Sequence, residues 1–508
     1  MSSRTHRFVL TYFSSVFGTV IVTLFSIIST PIILRSLGTE AFGAFRTSSD
    51  WLAYLSIFEF GLRGALYPML AKADSDNDTA QKSLIVAMGV RLYLPLSLLM
   101  IVLGFCLSFF IPDLIRIPSD LRTNLQLGLG VGLIGFLLYP LLTLQIFAQV
   151  IQKGYIVNLF LLLQSVIITS LAVVFSVFKL SVAGQYLAVF IGNLVYYLSL
   201  IIYLYYSQPE IFVNFFSNRR NEYQTEIKQQ LWNNSWQFFA VDFCGRLSLM
   251  TDNILISSIL GPGVVASFFL TQRLPMLILS QVQPLSSSSC PALINLYHQG
   301  EIEVFKTRIL ELTKLICTVG IGLLIPVTIY NHDFVSLWIG GNNFAGESVT
   351  ILAAINGLLL AVFSLWTSVL LGTGHVSSLT PIIVFSTIVN FTLSAFLTFL
   401  IGKEGPLLGT FIAFITTYLC LIPILFKKLF GIDIKSIIKS MIYPFLLGIP
   451  CALFCWKMSQ INVYGWLGLA LKMSLSVVIY FIFSWVLILS RNEKDFCKNK
   501  ARKILSKL

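Results

Sequence analysis

The sequence predicts an all-α, polytopic membrane protein of about fourteen transmembrane helices, built as two repeat-related six-helix lobes followed by two C-terminal helices. Three observations predict it. First, only 11% of the 508 residues are charged and 56% are hydrophobic, against about 25% charged in a soluble domain, and the mean hydropathy is +0.85. Most side chains therefore face something other than water. Second, the apolar runs are long and nearly continuous, as in 156–178 and 464–489. A bilayer leaves helices or closed barrels as the spanning forms. A helical span needs ~20 apolar residues, whereas a barrel strand alternates over ~10, so these runs read as helices. Third, the order of features recurs along the chain.

Taken in order, polar, charged or Gly/Pro breaks delimit spans near 8–34, 41–71, 83–111, 125–150, 155–178 and 181–206. A polar segment, 207–230, carries Arg219 and Arg220. Further spans follow near 231–259, 263–296, 306–331, 348–372, 377–401, 405–427, 436–457 and 462–489. The N-terminus, with Arg4 and Arg7 before 8–34, opens like a signal peptide, but its apolar stretch is too long and lacks a small-residue cleavage site. It reads as an uncleaved first span. With both termini cytoplasmic, 21 Lys and Arg fall in cytoplasmic segments and six on the opposite side. That bias obeys the positive-inside rule and would be scrambled by a missed helix. The expected location is a bacterial inner membrane.

A shift of 223 residues lays Ile33-Leu34-Arg35-Ser36-Leu37-Gly38 over Ile256-Ser257-Ser258-Ile259-Leu260-Gly261, Phe45 over Phe268, and Pro68 over Pro291. A shift of 220 pairs Asp113 with Asp333, and one of 225 pairs Gly184 with Gly409 and Ala188 with Ala413. Conserved order under a slowly drifting shift points to duplication. The expected divisions are a first lobe at 1–206, a linker at 207–230, a second lobe at 231–430, and two extra helices with a basic tail at 431–508. Six helices per repeat is an even number, so the lobes share one orientation, the parallel-repeat plan that places a substrate site between them.

The net charge of +12 does not point to nucleic acid, because the basic residues sit in short loops and the tail. The tail, 491–508, reads either as a helix on the anionic cytoplasmic surface or as topology-setting charge. The eight cysteines and the four histidines, His6, His298, His332 and His375, show no metal-ligand spacing. No P-loop, paired-carboxylate or Ser/His constellation is evident. The sequence reading therefore assigns no catalytic residue, no metal and no cofactor.

Charge inside a span costs ~2.5–3.5 kcal/mol on insertion scales, so such residues normally face a cavity or a partner. In the seventh span Asp242, Arg246, Asn253 and Ser257 share one helical stripe. The repeat lays that stripe over Thr19, Thr23, Ser26 and Thr30. Two readings stay open: facing polar walls of a wet cleft, or an Asp242–Arg246 pair with hydroxyls bonded to their own backbone. In the second span Arg46 with Asp50, and Glu59 with Arg63, are i, i+4 pairs that point apart on a straight helix; a bend at Gly61 would change that. Arg273 takes the repeat position of Asp50. Arg91 and the Glu311/Lys314 pair read as lying near cytoplasmic ends, and Lys472 as peripheral. The candidate substrate-binding residues are Arg46, Arg63, Arg246, Arg273, Asn253, Ser257, Thr19 and Thr23, since guanidinium groups suit phosphate. Asp242, Asp252 and Glu59 are the candidates for ion coupling.

Residues Pro31-Ile32-Ile33-Leu34-Arg35-Ser36-Leu37-Gly38-Thr39-Glu40-Ala41-Phe42-Gly43-Ala44-Phe45 resemble the opening segment of bacterial polysaccharide flippases. Phe58-Glu59-Phe60-Gly61-Leu62 and Phe334-Val335-Ser336-Leu337-Trp338-Ile339-Gly340 resemble later segments of the same family. The resemblance implies the multidrug/oligosaccharidyl-lipid/polysaccharide (MOP) exporter superfamily and, within it, a Wzx-type flippase. Such proteins move an undecaprenyl-pyrophosphate-linked oligosaccharide across the inner membrane for O-antigen or capsule synthesis by alternating access of a cationic cavity. The partners implied are that lipid-linked substrate, membrane lipids, and a polysaccharide polymerase and chain-length regulator of the same pathway. Alternatives are a cation-coupled multidrug exporter, a lipid II flippase and a membrane-embedded polymerase or ligase.

Overall fold

A computed structural model describes residues 2–214, 229, 239, 243–248, 250–461 and 465–487. Every regular element among them is helical. Helix α1 runs Ser2–Leu55, with a break at Gly38 (φ 81°) that divides it into two limbs. A 3₁₀ turn, Ser56–Glu59, separates it from α2, Leu62–Ser75. Then come α3 (Thr79–Leu114), α4 (Ser119–Ile134), α5 (Leu142–Val150), α6 (Gly154–Val177), α7 (Ser181–Ser207) and α8 (Met250–Leu260). Helix α9 spans Pro262–His298, α10 Ile302–Ile339, α11 Glu347–Gly372, α12 Val376–Ile401 and α13 Gly405–Ala413. A π-helical turn, Phe414–Leu419, joins α13 to α14, Cys420–Phe430; α15 (Ile434–Ser459) and α16 (Gly465–Leu487) follow.

Ten of these helices are long and apolar enough to cross a membrane, or eleven with the bent α9. Two of the ten are double: Phe17–Glu59 contains the break at Gly38, and Val376–Phe430 turns at Gly402 (φ 81°). Of the expected fourteen spans, the seventh, 231–259, lies in large part outside the described residues. The protein is therefore a multi-pass, all-α membrane protein.

The chain divides into two compact units, Met1–Ala266 and Ser267–Leu508. Helix α8, at the end of the expected seventh span, falls in the first of these units. The repeat itself is legible in backbone geometry. Gly38 and Gly261, paired by the 223 shift, both adopt positive φ (81° and 96°). The same shift carries the end of α1 at Leu55–Ser56 onto the 46° bend of α9 between Leu277 and Leu279.

Within the first unit the core is aliphatic and aromatic, with Leu66, Leu70, Tyr93, Phe147 and Tyr196 almost wholly buried. In the second unit α12 and α13 pack closely enough that a Cβ on Gly405 would lie 2.2 Å from the Thr398 nitrogen, and one on Gly409 2.5 Å from that of Ser394. Small residues at such crossings let membrane helices approach backbone to backbone. One expectation needs correction. The outward loop expected at 331–347 is shorter, because α10 continues to Ile339 and ends at Gly340 (φ 90°). Arg91 lies twelve residues beyond the start of α3. Lys472 is buried (7% exposed), with Nζ donating to the Ile461 carbonyl at 2.5 Å, where it ties α16 to the chain beyond α15.

Candidate functional site

The charged interior of the first unit is organised by the break in span two. Leu55 ends α1, the 3₁₀ turn carries Glu59, and Phe60 and Gly61 both take left-handed conformations (φ 50° and 73°) before α2 begins. Glycine adopts φ > 0 without cost, whereas phenylalanine does so rarely, so the paired conformation marks a deliberate break. Of the two possibilities, a straight helix or one bent at Gly61, the structure has the break, and it takes Glu59 and Arg63 off a common helix. It also creates a helix N-terminus at α2, where the first N–H groups carry partial positive charge. Arg63 stands exposed on that first turn.

Glu59 is only 3% exposed, and its Oε2 accepts from the Tyr139 hydroxyl at 3.1 Å. Arg246 donates to Ser56 Oγ, on the same turn, and its charge also acts on Tyr139. Around them stand the Tyr93 and Tyr139 rings, centroids 5.8 Å apart, and the Tyr196 and Tyr197 rings at 4.9 Å. The buried hydroxyls of Tyr93, Tyr196 and Thr143 have no hydrogen-bond partner among the described residues.

A second polar group lies on the N-terminal half of span two. Asp50 Oδ2 accepts from Asn253 Nδ2 at 2.7 Å, and the Arg46 charge acts on the same carboxylate. Tyr54 and Thr251 hydroxyls lie 2.6 Å apart. Ser257 donates to the Ile115 carbonyl at 3.3 Å, and Arg116 to that of Ile259 at 3.1 Å, fastening the far end of α8.

The structure thus brings together Arg46, Glu59, Arg63, Arg246, Asp252 and Asn253 within one unit. Asp242 lies outside the described residues. Thr19 Oγ1 donates to the Ser15 carbonyl at 2.9 Å and Thr30 Oγ1 to that of Ser26 at 2.6 Å, which is the backbone-bonded alternative for that stripe. Arg273 belongs to the second unit, where its guanidinium lies 6.0 Å from the Phe269 ring centroid. Sequence reasoning missed Tyr54 and Tyr139, because tyrosine is ordinary in apolar runs and no local spacing marks a partner eighty residues away. The second unit holds an apolar cavity of about 280 Å³ between α10, α11 and α15, lined by residues such as Ile321, Leu324, Ile355 and Phe445.

The fold is shared with solved transporters described as members of the MOP superfamily. The fold resembles the lipid II flippase MurJ in an inward closed conformation, with a TM-score of 0.69 at 12% identity over 95% of this chain and 100% of that one. It also resembles an inward-facing MATE-family multidrug resistance transporter, with a TM-score of 0.65 at 13% identity over 84% of this chain and 95% of that one. Residues 11–296, more than half of the chain, match the polysaccharide biosynthesis protein family, and the chain belongs to that family. A relative in Bacillus subtilis (strain 168), the uncharacterized membrane protein EpsK, is 19% identical over 98% of both chains.

Proposed function

We propose that the protein flips an undecaprenyl-pyrophosphate-linked oligosaccharide repeat unit from the cytoplasmic to the periplasmic leaflet of a bacterial inner membrane, with both termini cytoplasmic. The observation that carries this reading is the interrupted second span. Broken helices in transporters point half-helix N-termini at anionic substrate groups. Here the first turn of α2 carries exposed Arg63, and Arg246 donates to Ser56 on the 3₁₀ turn that precedes it. A pyrophosphate would gain charge-assisted, bidentate hydrogen bonds from such guanidinium groups. Glu59, held by Tyr139, keeps the local charge close to balance when substrate is absent. Arg46 and Asn253 extend the polar face along α1 and α8, and tyrosine walls suit sugar rings. Arg273, Ser257, Thr19 and Thr23 are further proposed contacts along the path, with Asp242 and Glu59 proposed for ion coupling.

The test is deletion of the gene followed by measurement of lipid-linked repeat units on each leaflet. The reading expects accumulation on the cytoplasmic face, reversed by wild-type protein but not by Arg63→Ala or Arg246→Ala at matched protein levels. Accumulation of lipid II instead would favour the alternative suggested by the MurJ-like fold. Unchanged leaflet distribution would overturn both.

A further inference from the structure

The turn that joins α14 to α15 carries a positive charge that its surroundings leave unanswered. It lies between two segments long and apolar enough to cross a membrane, Val376–Phe430 and Ile434–Ser459, and so at a membrane surface. Lys427 and Lys428 stand exposed on the last turn of α14, and Lys435 and Lys439 stand exposed at the start of α15. Asp433 is the only acidic residue between Glu404 and Glu493. Cations on neighbouring α10 are treated differently. There Lys306 binds Glu303 at 2.7 Å, and Arg308 binds Glu311. Lys306 reaches the same turn, since a Cβ on Gly431 would lie 3.5 Å from its Nζ. None of the four lysines makes an ion pair among the described residues.

Lys427 and Lys428 have a structural reason, because cations complement the negative end of a helix dipole. Lys435 and Lys439 stand in the opposite relation. They add charge to the positive end of α15, whose first turn holds no acid and whose Asp433 accepts no capping hydrogen bond. The helix gains nothing from them.

Their angular position is equally specific. At about 100° per residue, Lys435, Lys439, Ile442, Leu446, Ile449 and Leu453 lie within about 40° of one line, and all six are exposed. The buried face, with Pro444 and Gly448, points about 180° away. It packs on α10, where a Cβ on Gly448 would come within 2.9 Å of Ile321. From Lys439 to Ile449 the exposed line runs about 15 Å at 1.5 Å per residue, half of the ~30 Å hydrocarbon core. A cationic end above an apolar run one leaflet deep matches the two parts of a phospholipid.

We infer that the α14–α15 turn and the exposed face of α15 form a binding site for an anionic phospholipid, with its phosphate on Lys435 and Lys439 and an acyl chain along Ile442, Leu446 and Ile449. Lys427 and Lys428 add to the field that selects a negative headgroup. Neither the transported substrate nor the side of the membrane on which the turn lies enters this inference.

The experiment is native mass spectrometry of the full-length protein in detergent, with phosphatidylglycerol or phosphatidylcholine of identical acyl chains as the probe. The wild type is expected to retain phosphatidylglycerol in preference, and Lys435→Gln/Lys439→Gln to lose that preference. A lysine beside an anionic lipid surface contributes about fivefold, so the double variant should weaken retention by on the order of twentyfold to thirtyfold. Lys457→Gln, which removes a cation at the far end of the same helix, should leave retention unchanged. Elution of each variant like the wild type on size-exclusion chromatography ties the loss to the site rather than to folding.

Equal retention of the two lipids by the wild type, or undiminished retention in the double variant, would overturn the proposal and leave these lysines to topology alone. An equal loss in Lys457→Gln would overturn it by showing that total charge, not this site, decides. Release of the bound lipid by millimolar inorganic phosphate would overturn it too, because the lysines would then hold a free anion with no part for the chain.

Discussion

The two units carry the same helical plan and spend their polar residues differently, most visibly where the repeat superimposes them. In the first unit span two breaks outright at 56–61 and bears Glu59 and Arg63 on either side. The 223 shift carries these two onto Val282 and Ser286, which are fully buried, with Ser286 donating to the Ala361 carbonyl at 2.9 Å. In place of a break, α9 bends by 46° and carries Pro275 and Pro284. Further up, Arg46 and Asp50 correspond to Phe269 and Arg273, so a carboxylate that binds an amide is exchanged for a guanidinium beside a ring. Elsewhere the second unit ties its helices with neutral groups: Asn331 to the Thr271 carbonyl at 2.8 Å, Asn356 to that of Leu407 at 2.7 Å, and Trp366 to Thr313 at 3.0 Å. Neutral interhelical bonds in membranes contribute ~0.6 kcal/mol on average, whereas a charge at depth costs several times that. Neutral ties are affordable as structure. Charges kept at depth point to function.

That comparison is open to attack from several sides. The largest effect is expected from Gly405→Leu, whose side chain would meet the α12 backbone, with the Thr398 nitrogen already 2.2 Å from an added Cβ. Loss of monodisperse protein on size-exclusion chromatography is the expected outcome. Next comes grafting first-unit charge onto the second: Val282→Asp should lower stability by about 2.5–3.5 kcal/mol, read as a fall in thermal midpoint. A neutral effect would mean that the second unit tolerates charge at depth as the first does. Asn356→Leu should cost ~0.6–1.7 kcal/mol of stability and leave export per folded molecule unchanged, since its amide only joins α11 to α13. Smallest of all, Thr392→Val removes an exposed hydroxyl bonded to its own helix at the Ile388 carbonyl, and should stay within about 0.5 kcal/mol in the same melt.

Much of this was legible in the sequence, for physical reasons. Lipid as solvent imposes helices, so long apolar runs declare the fold class, and the repeat aligned Gly38 with Gly261, which share positive φ. Spacing showed that the two charge pairs could line one cavity only if the helix bent, with Gly61 as the place for a bend, but it did not decide whether the helix bends. The residues around it were less legible. Arg246, Asn253 and Ser257 stood out as a stripe, yet a stripe has no stated partner; only the packing of α8 on α1 shows Ser56 and Asp50 opposite. Helix ends were misjudged where polarity misleads: α10 runs through His332 and Asp333, an exposed 3.6 Å pair, before Gly340 stops it.

The central claim is that the guanidinium groups at the break in span two serve a substrate anion. Its most direct test is the leaflet distribution of lipid-linked oligosaccharide in a deletion strain complemented with Arg63→Ala or Arg63→Lys, at equal membrane abundance. The account predicts cytoplasmic-leaflet accumulation with alanine, amounting to at least about a tenfold loss of flipping, since charge-assisted hydrogen bonds contribute ~1.5–3 kcal/mol. Lysine, a point charge without the planar fork, should restore only part of it. Wild-type distribution with alanine would contradict the account.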